Sequence, residues 1–193
     1  TARVLYIAFG LGLFTAGGAL SCLLFDHVKQ RVEIWLLNPY NFIELGEREY
    51  NQAYQIIQSL FAIGAGGGTG AGLGAGYPLD IPAVHTDFFI AAITEEMGLA
   101  GGLGIVLLYL FFVYRGLKVA LEARDDFSKL LASGLTALMG LQAFTIIAGV
   151  TKLLPLTGVT LPFISYGGSS LVANFIILGM LLSISHEARS HER

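Results

Sequence analysis

Asp87 is the first residue whose type and setting suggest chemistry. It closes the triplet His85-Thr86-Asp87 and is followed at once by Phe88-Phe89-Ile90. A carboxyl group pressed against apolar residues loses hydration, which should raise its pKa and make it a better proton acceptor than a solvated aspartate. The competing role is structural, because Thr86 or Asp87 is placed to cap a following helix, and position alone favours that role. Glu95 and Glu96 are adjacent acids leading into an uncharged run. Carboxylates near a membrane are functional or partnered by default. Successive helical residues point about 100° apart, so the two are aimed differently and do not read as an acid and base pair. Bonding to the glycine-rich stretch before them, or pairing with a helix outside this chain, is an equally open role.

Lys152 ends another uncharged run. There it serves either as a snorkelling lysine or as a point charge for a lipid phosphate. Beyond it, Pro155 and Pro162 bracket an irregular stretch that ends in Ser165-Tyr166-Gly167-Gly168-Ser169-Ser170. Backbone N–H groups and hydroxyls at a helix N-terminus suit an anion or a sugar. A plain helix start capped by Ser169 or Ser170 accounts for the same residues. His27, His85, His186 and His191 have no metal-ligand spacing, and the single cysteine, Cys22, reads as a small packing residue.

The elements that must hold these residues are membrane helices. The sequence is 54% hydrophobic and 13% charged, against about 25% charged in ordinary soluble domains. Residues 4–25, 97–114, 130–151 and 153–185 carry no charged side chain. Runs of about 18 or more such residues suit the bilayer core. The simplest reading is an all-α protein with spans at about 3–25, 96–114, 130–151 and 168–185. Arg115, Lys118, Arg124 and Lys129 place the segment 115–129 in the cytoplasm, together with Arg3 and the tail carrying Arg189 and Arg193. The segment 26–95 and the short segment after Lys152 then face outward. A net charge of −3 without a basic cluster gives no sign of a nucleic-acid partner. The start at Thr1, close to a span, reads as the edge of a fragment or processed chain.

The outward segment has its own pattern. Val28, Val32, Trp35 and Leu36 share one helical face, and Ala53, Ile56, Ile57, Leu60 and Phe61 share another. Such helices either lie in the interface plane or pack on the spans. From Gly64 to Gly76 more than half the positions are glycine. No GxxxxGK[ST] is present and no strand leads into a helix there, so a nucleotide-phosphate loop is not supported. Close backbone packing, or approach to a ligand, is the better account.

Taken in order, these motifs resemble one family. Tyr54-Gln55-Ile56-Ile57-Gln58-Ser59-Leu60, the glycine block, Ile81 to Phe88, Glu95-Glu96-Met97-Gly98-Leu99-Ala100-Gly101 and Leu153 to Ser170 are similar to the SEDS proteins, FtsW, RodA and their sporulation relative. The resemblance implies a single membrane domain, the last four spans of a ten-span fold whose N-terminal half is absent here. It also implies a bacterial cytoplasmic-membrane enzyme that polymerises lipid II into glycan strands at the outer face. The expected partners are a class B penicillin-binding protein and other divisome or elongasome membrane proteins. The aspartate of the family's HTDF-like motif falls on Asp87 as the catalytic residue, which reverses the preference for a cap. His85, Thr86, Lys152, Ser165, Gly167, Gly168 and Ser169 are the expected substrate contacts, with Glu95 and Glu96 in support. A lipid diphosphate leaves as a stable anion, so no general acid is required. It needs a cationic partner, from lysine, arginine or a divalent ion such as Mg or Mn. A flippase for lipid-linked precursor, or a non-catalytic scaffold, are the alternatives.

Overall fold

The computed structural model describes residues 2–37, 47–82 and 84–190, and among them every regular element is helical. The order is α1 (Ala2–Leu24), α2 (Asp26–Leu36), α3 (Glu47–Gly66), a 3-10 turn (Pro78–Asp80), α4 (Phe89–Glu122), α5 (Asp126–Val150) and α6 (Gly168–Ser190). The chain divides into two compact units, Thr1–Ala53 and Tyr54–Arg193. His191 and Arg193 of the expected cytoplasmic tail, and Ala83 beside the HTD triplet, lie outside the described residues.

In the first unit α1 turns into α2 through an extended Phe25. Val28, Val32 and Trp35 are half-buried while Leu36 is exposed, so the expected apolar face of α2 is present but shallow. Lys29 and Glu33 pair across one turn at 3.8 Å, both largely in solvent.

The second unit holds every candidate residue. On α3, Ile56, Ile57 and Ala62 are buried, whereas Phe61 turns outward. Ser59 is buried in its place, and its hydroxyl donates to the Ile56 carbonyl at 2.8 Å. That internal bond removes the cost of an orphaned hydroxyl. The helices α4 and α5 form the main packing pair, with α6 against both. Small residues let them approach: a Cβ on Gly116 would overlap the Thr136 side chain, and one on Gly140 would press on Val113. Ala120, Ala123, Ala132, Leu181 and Ile184 form a buried cluster beside the tight α4–α5 connection.

Four helices, α1, α4, α5 and α6, are long and apolar enough to cross a membrane. Leu107, Leu108, Phe111, Leu138, Leu141 and Ile176 point out of the bundle, as hydrocarbon contact requires. The expected spans underestimate three of these helices. The helix α4 starts at Phe89 rather than 96 and runs on to Glu122, where Lys118 and Glu122 pair at 3.6 Å. The helix α5 starts at Asp126 because Asp125 caps it: the Ser128 N–H donates to Oδ2 at 2.8 Å. The helix α6 continues to Ser190. Helices outlast the hydrocarbon wherever capping and ion pairing satisfy their ends.

Candidate functional site

The site end of the second unit is built on a broken helix. Gly98 in α4 has φ 69, ψ −171, outside the helical region. In an unbroken helix the Leu99 and Ala100 N–H groups would bond the carbonyls of Glu95 and Glu96. Here the glycine segment takes both sides of those bonds. Leu99 and Ala100 donate to Gly67 and Gly68 carbonyls at 2.8 and 3.4 Å, while Ala71 and Gly72 donate to the Glu95 and Glu96 carbonyls at 2.9 and 3.0 Å. Contact this close tolerates no side chain. A Cβ on Gly66 would collide with the Thr94 carbonyl, and one on Gly70 with the Glu96 carbonyl.

The side chains of the two glutamates diverge. Glu95 is buried, and its Oε1 accepts the Tyr77 N–H at 3.1 Å. Its Oε2 is buried with no hydrogen-bond partner among the described residues. Glu96 is half-buried and faces a small cleft of about 180 Å³ together with Pro78, Val84, His85, Phe89, Ala92 and Ile93.

Asp87 and Thr86 are half-buried just before α4. The N-cap position of α4 is held by Phe88, so neither Thr86 nor Asp87 occupies it. Instead Phe88 is fully buried and anchors the turn. Its carbonyl accepts the N–H groups of Ala91 and Ala92 at 2.9 and 3.3 Å.

The second half of the site lies between α5 and α6. The chain leaves α5 through Lys152, whose φ of 61 is left-handed. Lys152 N–H donates to Gly149 and Leu153 N–H to Ala148, at 3.1 and 2.8 Å. This is the double bond pattern that commonly ends a helix, with lysine in the position glycine usually holds. Lys152 is half-buried, and that burial pulls its ammonium below the ordinary lysine value. The chain then turns through Leu161–Ser165, where the Leu161 N–H donates to Ser165 Oγ and the Ser165 N–H returns to the Leu161 carbonyl. Phe163 is also left-handed, at φ 63.

A backbone bond joins the two halves: the Tyr166 N–H donates to the His85 carbonyl at 2.8 Å. Around that junction opens a cleft of about 650 Å³, lined by His85, Phe89, Phe163, Ile164, Ser165, Tyr166, Gly167, Gly168 and Leu171. It is apolar with a few polar groups, as small-molecule sites are. Of the expected contacts, His85, Ser165, Gly167 and Gly168 are brought together here. Asp87, Thr86, Lys152 and Ser169 do not line this cleft. Asp87 nevertheless lies between His85 and Phe89, both of which do. The helix α6 begins at Gly168, so Ser169 and Ser170 lie inside its first turn rather than before it. Among the described residues no group of three or more His, Cys, Asp or Glu side chains is close enough to hold a metal ion by itself.

Sequence reasoning passed over Tyr109, Gln142, Thr160 and Asn174. Tyr109 donates to the Pro162 carbonyl, and Gln142 Nε2 donates to the Thr160 carbonyl at 2.9 Å. Asn174 is buried, and its Nδ2 reaches Ser170 Oγ at 3.5 Å. Their signal was uncharged polarity inside charge-free stretches, which is expensive at membrane depth unless bonded.

Comparison with known proteins agrees with this architecture. A family model described as a cell cycle protein, covering FtsW, RodA and SpoVE, matches residues 1–190. The chain is 46% identical to the peptidoglycan glycosyltransferase RodA of Mycobacterium leprae over 98% of its own length and 39% of that relative. It is 44% identical to a probable peptidoglycan glycosyltransferase FtsW of Geobacter metallireducens, over 83% of this chain and 41% of that one. The chain therefore spans well under half the length of these curated relatives. Among solved structures, it is similar to a chain of a peptidoglycan synthase complex that coordinates polymerization and crosslinking, with TM-score 0.73 and 28% identity over 97% of this chain and 50% of that one. It is also similar to an aspartate-to-alanine variant of the Thermus thermophilus rod shape determining protein RodA, with TM-score 0.54 and 26% identity over 98% of this chain and 59% of that one. Helical spans, ordered motifs and relatives agree: this chain belongs to the FtsW, RodA and SpoVE family of multi-pass membrane proteins.

Proposed function

We propose that the chain carries the acceptor-activating part of a peptidoglycan glycosyltransferase that polymerises lipid II. The observation that carries this reading is the junction of the HTD turn and the Ser165–Gly168 turn around one cleft, through the Tyr166 to His85 bond. In this reading the C4 hydroxyl of the acceptor sugar attacks the anomeric carbon of the donor. A new C–O bond forms there, the bond to the lipid diphosphate breaks, and the hydroxyl proton passes to Asp87. Thr86 and His85 orient the acceptor. The hydroxyls of Ser165 and Ser169 and the N–H groups of Gly167, Gly168 and Ser169 meet the sugar or phosphate oxygens. Lys152, on the same α5–α6 connection, neutralises the departing diphosphate, and a divalent cation bound with that diphosphate would supply the same charge.

The charge pattern supports an outward-facing site in the cytoplasmic membrane. Arg115, Lys118, Arg124 and Lys129 cluster at the opposite end of α4 and α5, on the side that basic residues mark as cytoplasmic. A class B penicillin-binding protein that crosslinks the new strands is the partner this reading requires, with other divisome or elongasome proteins around it.

The test is Asp87→Asn in the full-length protein. Purified variant and lipid II in detergent should yield no glycan polymer, while expression and partner binding stay normal. Polymer at near wild-type rate would remove Asp87 from the mechanism.

A further inference from the structure

The turn from Thr160 to Ser170 is fixed from every helix that surrounds it. Gln142 on α5 donates to the Thr160 carbonyl at 2.9 Å. Thr160 Oγ1 donates to Ser170 Oγ at 2.8 Å, which closes the turn onto the first turn of α6. Asn174, one helical turn further along, also addresses Ser170 Oγ. Tyr109 on α4 donates to the Pro162 carbonyl. The Phe163 ring lies edge-on between Phe112 of α4 and Phe175 of α6, at centroid distances of 6.3 and 5.5 Å.

Depth makes these contacts informative. Gln142 lies eight residues before the end of α5 at Val150, roughly 12 Å along a helix rising about 1.5 Å per residue. The turn thus dips back beside the spans instead of lying over them. Irregular backbone at that depth persists only where protein groups satisfy it. Phe163 adds a left-handed backbone, a conformation that side chains other than glycine keep only when their surroundings over-determine it. Plain connection of α5 to α6 requires none of this. The rigid part is the stretch that lines the cleft, and through the Tyr166 N–H it also holds the His85 carbonyl, two residues before Asp87.

We propose that Gln142 and Thr160 are positioning residues for glycosyl transfer: their hydrogen bonds set the place of the Ser165–Gly168 turn, and through it the place of Asp87. This rests on the catalytic reading given above. Neither residue lines the cleft, so each acts through the turn and not on the substrate.

The experiment uses the full-length protein with lipid II in detergent and compares Thr160→Val, Thr160→Ser and Gln142→Met, each scaled to its folded fraction, with Asp87→Asn beside them. A misplacement near 1 Å can cost about 100-fold in rate. Thr160→Val and Gln142→Met should therefore lose about 10- to 100-fold in kcat, with KM changed less than about threefold. Thr160→Ser, which keeps the hydroxyl, should restore most of kcat. Unchanged kcat in the folded Thr160→Val and Gln142→Met proteins would overturn the proposal, as would a rise in KM alone or failure of serine to rescue. An active Asp87→Asn would instead overturn the catalytic reading, so the two failures are separable. Should Thr160→Val not fold, Gln142→Met still decides the matter, because methionine keeps the length and nearly the volume of the side chain while removing the amide.

Discussion

The two ends of the α4–α5–α6 bundle solve different problems. At the hairpin end, α4 passes to α5 through Ala123, Arg124 and Asp125, with one carboxylate cap and a cluster dominated by alanine. Every device there is local or is simple close packing. At the other end, α4 is broken at Gly98, α5 ends on a left-handed lysine, and two irregular segments interlock with the helices. The first end only has to hold helices together. The second must hold backbone and side chains at fixed places against the cost of strain and buried polar groups. The difference supports the proposed place of the site, because strain of this kind clusters where a structure performs work.

That contrast can be broken by substitution. The largest effect should come from Gly98→Ala. The residue has positive φ, and a Cβ would overlap the backbone of Gly68, Thr69 and Gly70. A loss of about 3 kcal/mol or more in stability is expected, of the size that strain and overpacking together produce. Glycan polymerisation should fall even in protein that remains folded, as thermal melting and a lipid II assay would show. Gly116→Val is the counterpart at the hairpin end. Its side chain would meet Thr136, at a cost of about 1–3 kcal/mol. Here melting temperature should drop while kcat per folded molecule stays unchanged. Equal loss of kcat in both variants would show that the two ends are not functionally distinct.

The smallest effect belongs to the Asp125 cap. Its hydrogen bonds with the Ser128 N–H and side chain hold the carboxyl below the usual aspartate range. A carboxyl whose pKa is lower folded than unfolded contributes stability above its unfolded pKa and loses it as pH falls through the folded one. The cap should therefore be complete at neutral pH and fade only in acid. Melting of wild type and Asp125→Asn should converge as pH falls through that range. A gap between them that is constant down to strong acid would show that the charge on the cap plays no part.

The sequence was informative where physics acts on single residues. Charge-free runs disclose spans because one buried charge is costly. The glycine block was legible as a place of close approach, but its partner was not. The broken bonds of Leu99 and Ala100 and the donors Ala71 and Gly72 are almost thirty positions apart, and only tertiary contact pairs them. The expected loop boundary near residue 95 missed the first turns of α4, because Glu95 and Glu96 look like a membrane edge yet sit inside a helix. Tyr109, Gln142, Thr160 and Asn174 escaped notice for the opposite reason. They are uncharged, and each is unremarkable until the turn that it bonds is seen.

The break at Gly98 has a dynamic consequence. Hydrogen bonds inside an ordinary helix open one turn at a time from its ends. Here the four bonds at the break are shared with the glycine segment, so neither partner can open without the other. Leu99 and Ala100 amides should exchange with solvent deuterium at the same rate as those of Ala71 and Gly72. Loosening of the segment that leads to Asp87 and unwinding of α4 at Gly98 are then a single event, and the site and the helix share one opening free energy.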